Sequence, residues 1–257
     1  MNIIAFFAHP DDETMLIGGT LALLARNGTQ VHYLCATRGE GGEVGEPPLC
    51  TVEELGQKRE REMACAVQSL GGSSLSFLDF IDPRTGPEDE LYAFSDDQNL
   101  LRDQIIEFIQ KFNAEVLITH GSSGEYGHPA HLLSHRAAKS AVSSLNGSNS
   151  ERLLYTVSAA FSSHPKPRLA NQDDSAHLVI DVSPALGEKT AAAMCHETQH
   201  ALFVRRSSRE AGRQLCVPEV IMPVESLHRA YPDVEVGPED VLTEALKPWA
   251  INQRARN

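Results

Sequence analysis

Residues 2–13 read NIIAFFAHPDDE, and this stretch decides the fold more than any other part of the sequence. Its apolar, β-rich start is typical of a buried strand. Its end supplies one imidazole and three carboxylates, with Pro10 stiffening the turn between them. Adjacent carboxylates such as Asp11 and Asp12 are favourable there when a cation is near. The structural alternative is a helix N-terminus, where Asp12 or Glu13 caps the helix and complements its dipole.

Outward from this stretch, apolar and amphipathic segments alternate along the chain. The pattern predicts strands over Asn2–Ala8, Val31–Thr37, Leu75–Phe80, Glu115–His120, Leu153–Ala160, His177–Val182 and Glu219–Leu227. It predicts helices over Met15–Arg26, from Thr51 to about Gly71, over Asn99–Phe112 and Pro129–Leu145, and from Ser183 to about Gly212. Such alternation indicates an α/β fold with a mostly parallel sheet covered on both faces. Ligands bind at the carboxyl ends of the strands in such sheets.

The composition is that of an ordinary globular protein with an acidic balance. We predict a single domain over residues 1–257, with a core of about 1–182 and a C-terminal extension of about 183–257. The net charge of -13, without a basic stripe, disfavours nucleic acid and anionic membranes as partners. No apolar run approaches the ~20 residues of a membrane span, and no signal peptide is evident. The five cysteines, without a CxxC pair, predict reduced thiols and a cytoplasmic location.

A second polar segment, HPAH, follows the fourth predicted strand. It begins at His128 and ends at His131, and the i,i+3 spacing places both imidazoles on one face of a helix start. With His9 and Asp12, His131 completes two nitrogens and one oxygen, the open three-ligand set of a catalytic zinc. Zinc lowers the pKa of bound water to ~7, so Asp11 is the predicted general base and His128 the acid or oxyanion partner. The same ligand set also suits non-haem Fe²⁺.

The motifs resemble the LmbE-like, or PIG-L, family of N-acetylglucosaminyl deacetylases. The resemblance covers residues 3 to about 200 and rests most specifically on the AHPDDE and GEYGHPAH motifs. The matching segments are residues 8–13, 18–20, 37–42 and 124–131, together with Arg59, Glu62, Ala66, Leu70, Gly71, Asp82, Lys189, His196, Thr198 and Gln199.

The resemblance implies a Rossmann-like fold and a zinc hydrolase that removes acetyl from an N-acetylated amino sugar. It implies the same roles for five residues: His9, Asp12 and His131 as zinc ligands, Asp11 as the base and His128 as the acid. It adds Tyr126 as a residue that polarises the carbonyl. It also implies substrate or pocket-rim contacts for Arg38, Glu40, Arg59 and Asp82. One position departs from the family pattern, because Ala130 stands where an aspartate is usual. That aspartate orients a neighbouring side chain, so its absence affects the surroundings of the ligands and removes none of them. Because the glycolipid-directed relatives carry an N-terminal anchor and this chain shows none, a soluble small-molecule amino sugar is the expected substrate.

Several alternatives remain open at this level. One is a mycothiol-conjugate-amidase-like cleavage of a thiol conjugate, or another metal-dependent reaction such as hydration, on the same scaffold. Another is a catalytically silent carbohydrate-binding protein. A third is a zinc protease, because His196, Glu197 and His200 fit the H-E-x-x-H pattern on a predicted helix. Relatives of this family often form homo-oligomers, although no residue in this chain marks an interface.

Overall fold

A computed structural model describes residues 1–146, 151–234 and 237–251 of the chain. The strands within these residues are β1 (Asn2–Phe7), β2 (Gln30–Thr37), β3 (Ser74–Phe80), β4 (Val116–Thr119), β5 (Leu153–Val157), β6 (Ala159–Ala160), β7 (Asn171–Ser175), β8 (Leu178–Asp181) and β9 (Val224–Tyr231). The α-helices are α1 (Asp12–Arg26), α2 (Leu55–Ser69), α3 (Gln98–Phe112), α4 (Gly124–Gly127), α5 (Pro129–Leu145), α6 (Leu186–Cys195), α7 (His200–Ala211), α8 (Val217–Val220) and α9 (Val241–Leu246).

The central sheet has the strand order β3-β2-β1-β4-β5-β9-β8. Its first five strands run parallel, while β9 pairs antiparallel with both β5 and β8. The predicted α/β fold with a mostly parallel sheet is therefore confirmed. β1 and β4 are neighbours in this sheet, so the two polar motifs after these strands leave from the same edge.

Both faces of the sheet are covered, because alternate side chains of β1 enter different apolar clusters. Ile3 and Phe7 pack with residues of α1, α2 and α6 in one cluster. Ile4 and Phe6 pack with residues of α3 and α5 in the other. A strand buried on both faces reads as a continuous apolar run, which explains the start of the chain. The result is the predicted three-layer, Rossmann-like sandwich.

The C-terminal part differs from the prediction. The single helix predicted from Ser183 to about Gly212 is two helices, α6 and α7, separated by a short 3₁₀ turn at Glu197–Gln199. The break follows burial of the His196 ring at the end of α6, a tertiary contact that helical periodicity does not encode. The strand predicted at Glu219–Leu227 forms later, as β9. The last six residues of the predicted domain, 252–257, lie outside the described residues.

The prediction of five reduced cysteines is wrong, because Cys65 and Cys195 form a disulfide. These cysteines are 130 positions apart in sequence, but α2 and α6 pack side by side and bring their Cα atoms to 5.8 Å. Spacing along the chain could not reveal this pair. Cys35, Cys50 and Cys216 are free.

Candidate metal centre and active site

The two polar motifs meet at the carboxyl edge of the sheet. Asp12 lies between the imidazoles, with its Oδ2 atom 3.3 Å from Nδ1 of His9 and 3.4 Å from Nε2 of His131. All three side chains are buried or nearly so. Within the part of the chain that the structure describes, two overlapping groups have ligand atoms close enough for one metal ion: His9 with His128 and His131, and Asp12 with His120 and His131.

Hydrogen bonding of His131 suits a metal ligand. Its Nδ1 lies 2.6 Å from Oε2 of Glu125, so this nitrogen donates its proton to the carboxylate. Nε2 is buried without a hydrogen-bond partner and faces the Asp12 carboxylate. Burial lowers the pKa of His131, but the Asp12 and Glu125 carboxylates raise it to a net value of about 10, so the site attracts a positive charge. A divalent cation between Nε2 and Asp12 satisfies both atoms, and a carboxylate behind the histidine is the usual support for such a ligand.

Two other imidazoles at the site have their ring nitrogens committed differently. His120 accepts the Ala8 N–H at Nε2 (3.0 Å) and donates from Nδ1 to Glu125 (3.0 Å), so neither nitrogen has a lone pair free for a metal. His128 accepts the Ala130 N–H at Nδ1 over 3.2 Å. Burial, followed by the nearby His131 and His9, lowers the pKa of His128 to about 3. Its ring is therefore neutral, and Nε2 is a hydrogen-bond donor.

His9 is held between two carboxylates. Its Nδ1 faces Asp12, while its Nε2 lies 3.3 Å from Oδ1 of Asp82. Asp82, expected to touch substrate, thus supports the His9 ring and also lines the cavity. Its backbone N–H donates to Oε2 of Glu40 (3.1 Å), which ties the Glu40 loop to this side of the site.

Asp11 has the surroundings of a general base. Its backbone φ of 107° is in a region that residues other than glycine rarely adopt, and its N–H donates to Oε2 of Glu13 over 3.0 Å. Its carboxylate accepts a hydrogen bond from Nη2 of Arg59 at 3.0 Å. Burial raises the pKa of Asp11 to about 7, although Arg59 opposes the shift. A carboxylate with a pKa near the working pH is an effective proton acceptor.

Arg59 reaches Asp11 through space left by glycine. Its Nη1 donates to the Gly39 carbonyl over 2.9 Å. A Cβ atom on Gly39, whose φ is +68°, would lie 2.1 Å from that nitrogen. The glycine-rich motif after β2 therefore accommodates a guanidinium. Arg38, in contrast, forms ion pairs with Glu60 and Asp79 and is not among the residues that line the cavity.

The site opens into a cavity of about 380 Å³. His9, Asp11, Asp12, Arg59, Asp82 and His128 form its polar floor, and the side chain of Tyr126, 58% exposed, stands at its edge. A larger cavity of about 780 Å³, between α7 and α8, is lined by His200, Arg205 and Cys216 among others. Neither metal-binding group borders that larger cavity. The candidate metal site therefore lies at the smaller cavity, of about 380 Å³.

The H-E-x-x-H residues do not form a zinc site among the residues that the structure describes. His196 directly follows the last residue of α6, whereas His200 begins α7, so the two histidines do not share one helix face. His200 donates to the Met194 carbonyl (3.1 Å), and Glu197 pairs with Lys58 (2.8 Å). The protease interpretation fails on this geometry.

His196 instead supports the candidate site at the sheet edge. Its Nε2 lies 3.0 Å from Oε1 of Glu13, and the other oxygen of Glu13 accepts the Asp11 N–H. Thr14 donates to the same Oε1 atom (2.6 Å). His196, Glu13 and Thr14 are fully buried, so this chain of contacts holds the backbone of Asp11 from behind.

The resemblance had implied a pocket or structural role for His196, but the sequence prediction missed Glu125 and Glu13 as supporting residues. Glu125 stands in the matched GEYGHPAH motif, but its contact with His131 depends on a backbone φ of 59° at residue 125. The partnership of Glu13 with His196 spans 183 positions, and no local pattern signals it. Ala130, where the family has aspartate, is fully buried in an apolar cluster, while its N–H holds His128.

The fold and the site together define an α/β protein with a candidate site for a divalent metal and a buried carboxylate, Asp11, beside it. Comparison with known proteins narrows this class. A family model described as PIG-L, GlcNAc-PI de-N-acetylase, matches residues 4–142. A 1D-myo-inositol 2-acetamido-2-deoxy-alpha-D-glucopyranoside deacetylase from Streptomyces griseus is 30% identical over 249 residues, covering 78% of this chain and 75% of the relative. The chain belongs to the PIG-L, or LmbE-like, family.

Solved structures agree on the fold. The 4-carboxy-2-hydroxymuconate hydratase from Pseudomonas putida superimposes with a TM-score of 0.62 at 20% identity, covering 93% of this chain and 99% of the hydratase. N,N'-diacetylchitobiose deacetylase from Pyrococcus horikoshii gives a TM-score of 0.61 at 17% identity, with coverages of 88% and 82%. At these identities the likeness shows the fold alone. Within the described residues, every helix is too short or too polar to cross a membrane.

Proposed function

We propose that this chain is a zinc-dependent N-deacetylase that hydrolyses the 2-acetamido group of a small N-acetylglucosamine-type sugar or glycoside. His9, Asp12 and His131 would hold the metal. The observation that carries the proposal is the unpartnered Nε2 of His131 facing Asp12, directly beside a carboxylate base. The family and the named Streptomyces relative support the amino-sugar substrate.

When bound, the metal supplies Lewis acidity and a water molecule of lowered pKa. Arg59 holds Oδ2 of Asp11, which leaves Oδ1 to accept the proton of the attacking water. His128 would donate from Nε2 to the carbonyl oxygen as negative charge develops there. Tyr126, whose ring centroid lies 5.7 Å from that of His128, lines the same cavity. Asp11 then returns its proton to the departing nitrogen. The amide C–N bond breaks, and acetate and the free amine leave.

The floor of the cavity matches an amino sugar in size and polarity. Arg59 and Asp82 provide charged groups beside the catalytic residues, as a ring with several hydroxyls requires. Glu40 does not line the cavity and would act through its bond to the Asp82 N–H. Arg38 would act at a distance, by fixing the loop after β2 through its ion pairs with Glu60 and Asp79.

The finer parts of the proposal follow from composition and chemistry. Zinc is favoured over Fe²⁺ because the reaction needs no redox change. A small-molecule partner, without nucleic acid or membrane, fits the net charge of -13. A homo-oligomer is compatible with the chain. We also propose a cytoplasmic location. The Cys65–Cys195 disulfide is the observation that opposes this location, because disulfides are rare in reducing compartments. Counting free thiols in protein isolated under alkylating conditions tests that location.

The first experiment is metal analysis by mass spectrometry of wild type and His9→Ala, purified without added metal. About one zinc per chain in the wild type, lost in the variant, is the expected result. Zinc retained in the variant contradicts the ligand set.

The second experiment measures acetate release from a methyl 2-acetamido-2-deoxyglucoside. We expect Asp11→Asn to keep its zinc and to lose turnover by about 10²–10⁴-fold, the usual effect of removing a general base. Full turnover in that variant refutes the role of Asp11. Sugar binding without acetate release would indicate a silent binding protein, and turnover of thiol conjugates or of an unsaturated acid instead would indicate the amidase or hydratase alternatives.

A further inference from the structure

Large apolar side chains surround the mouth of the catalytic cavity. Leu91, Tyr92, Tyr126 and Leu202 all line it, and they are 38%, 40%, 58% and 47% exposed. They come from three separate segments: the loop after β3, the short helix α4, and α7. Scattered exposed apolar residues need no explanation, but a ring of them around a polar pocket marks a binding surface.

Three polar residues that line this cavity, Glu43, Tyr92 and Gln199, already bond to other protein groups. Arg205 forms two bonds with the Glu43 carboxylate, of 2.6 and 2.7 Å. The amide nitrogen of Gln199 donates to the Glu43 carbonyl (2.8 Å). The hydroxyl of Tyr92 donates to Glu90 (2.6 Å), which turns that polar end to its own loop.

A polyol bound beside Glu43, Tyr92 and Gln199 would lose water and find these three groups already bonded within the protein. An apolar group would cover Leu91, Leu202 and the aromatic rings and release their water. Aromatic rings also stack on tyrosine at a gain beyond area burial. The mouth therefore differs in character from the charged floor, which suits the sugar.

We propose that the substrate is an amino sugar carrying an apolar aglycone, aryl or alkyl, which packs on Leu91, Tyr92, Tyr126 and Leu202. This inference rests on the proposed deacetylase function and specifies its substrate. The Streptomyces relative is named for an inositol glycoside, whose aglycone is a polyol. The aglycone of the substrate proposed for this chain is apolar and so belongs to a different chemical class.

The test compares kcat/KM for acetate release from the methyl, phenyl, octyl and myo-inositol 2-acetamido-2-deoxyglucosides. We expect the phenyl or octyl compound to exceed the methyl compound at least tenfold, with the inositol compound no better than the methyl one. Tenfold corresponds to about 1.4 kcal/mol, which about 55 Å² of newly buried apolar surface provides at ~25 cal/mol per Å². A higher value for phenyl alone indicates an aryl aglycone, and a higher value for octyl alone an alkyl chain.

Leucine variants of matched exposure provide the control. Leu202→Ser should reduce the phenyl-to-methyl ratio at least threefold. Leu100→Ser should leave the ratio unchanged, since Leu100 is similarly exposed, at 48%, but lies on α3 outside the cavity. Preference for the inositol glycoside, or an unchanged ratio in Leu202→Ser, overturns the inference.

Binding measurements separate this inference from the proposed function. Calorimetric Kd values for the same glycosides on zinc-loaded Asp11→Asn should show the same order, with the phenyl or octyl compound at least tenfold tighter than the methyl one. If no glycoside releases acetate from wild type but this order of affinity holds, the deacetylase proposal fails and the apolar subsite stands. Equal affinities for all four glycosides refute the subsite.

Discussion

Glu125 should control how tightly the site holds its metal. The carboxylate accepts four hydrogen bonds on two oxygens and is almost fully buried. Oε2 takes His131 Nδ1 (2.6 Å) and His120 Nδ1 (3.0 Å), while Oε1 takes the Gly121 N–H (2.9 Å) and Asn171 Nδ2 (3.2 Å). In Glu125→Gln one oxygen becomes an NH₂ group. Whichever way the amide turns, two of the four donors then face another donor.

The structure sets the size of the effect. An unsatisfied buried donor costs about 1–3 kcal/mol, so the metal-free variant should lose about 2–6 kcal/mol of unfolding free energy. Loss of the carboxylate behind a metal-bound histidine typically weakens metal affinity by about 10–100-fold. Zinc Kd by chelator competition and urea unfolding of the metal-free protein measure the two effects separately. Glu107→Gln on the exposed face of α3 is the control, with neither quantity changed. A folded Glu125→Gln protein with wild-type zinc affinity would refute the supporting role of this carboxylate.

Three further predictions concern His196, the Cys65–Cys195 disulfide and the bound metal. His196 reaches the Asp11 backbone through Glu13, so we expect His196→Ala to lower kcat about tenfold or more while zinc content and KM stay near wild type. His196→Asn should recover part of the lost kcat. A change in KM alone would contradict this role. Reducing the Cys65–Cys195 disulfide should lower the unfolding free energy by about 4–5 kcal/mol, because it closes a loop of 130 residues, and an unchanged urea midpoint after reduction would oppose this. Removing zinc with a chelator should lower Tm, since a ligand at ~1,000 times its Kd stabilises the folded state by about 4 kcal/mol, whereas an unchanged Tm would mean that no metal was bound.

The part of the site that could be predicted from sequence is the part encoded next to strand ends. His9, Asp12 and His131 come after β1 and β4, and the carboxyl ends of these parallel, neighbouring strands lie at one edge of the sheet. The helix predicted at Pro129–Leu145 has those bounds in the structure, because a histidine cap and a proline at its first position mark its start.

Features that depend on contacts between distant segments were not predictable. The break at His196 interrupts a sequence with continuous helical periodicity, and its cause is the burial of this ring against Glu13. The Cys65–Cys195 pair needs α2 and α6 side by side, which only the assembled sheet provides. The same limitation explains why H-E-x-x-H was a credible zinc motif in the sequence. The motif requires both histidines on one uninterrupted helix, whereas in the folded chain His196 directly follows α6 and His200 begins the separate helix α7.

The histidines of this cleft show why residue type and spacing define a site only in part. His120 and His131 stack at 3.8 Å between ring centroids and share the Glu125 carboxylate through Nδ1. Their roles differ because of the opposite nitrogen. In His120 it accepts a backbone N–H, while in His131 it faces Asp12 with no partner. His128 reverses the pattern, since its Nδ1 is the acceptor and its Nε2 is left to donate. Backbone amides therefore occupy one nitrogen of His120 and one of His128, whereas Nε2 of His131 has no such partner, and this difference separates three rings of the same residue type.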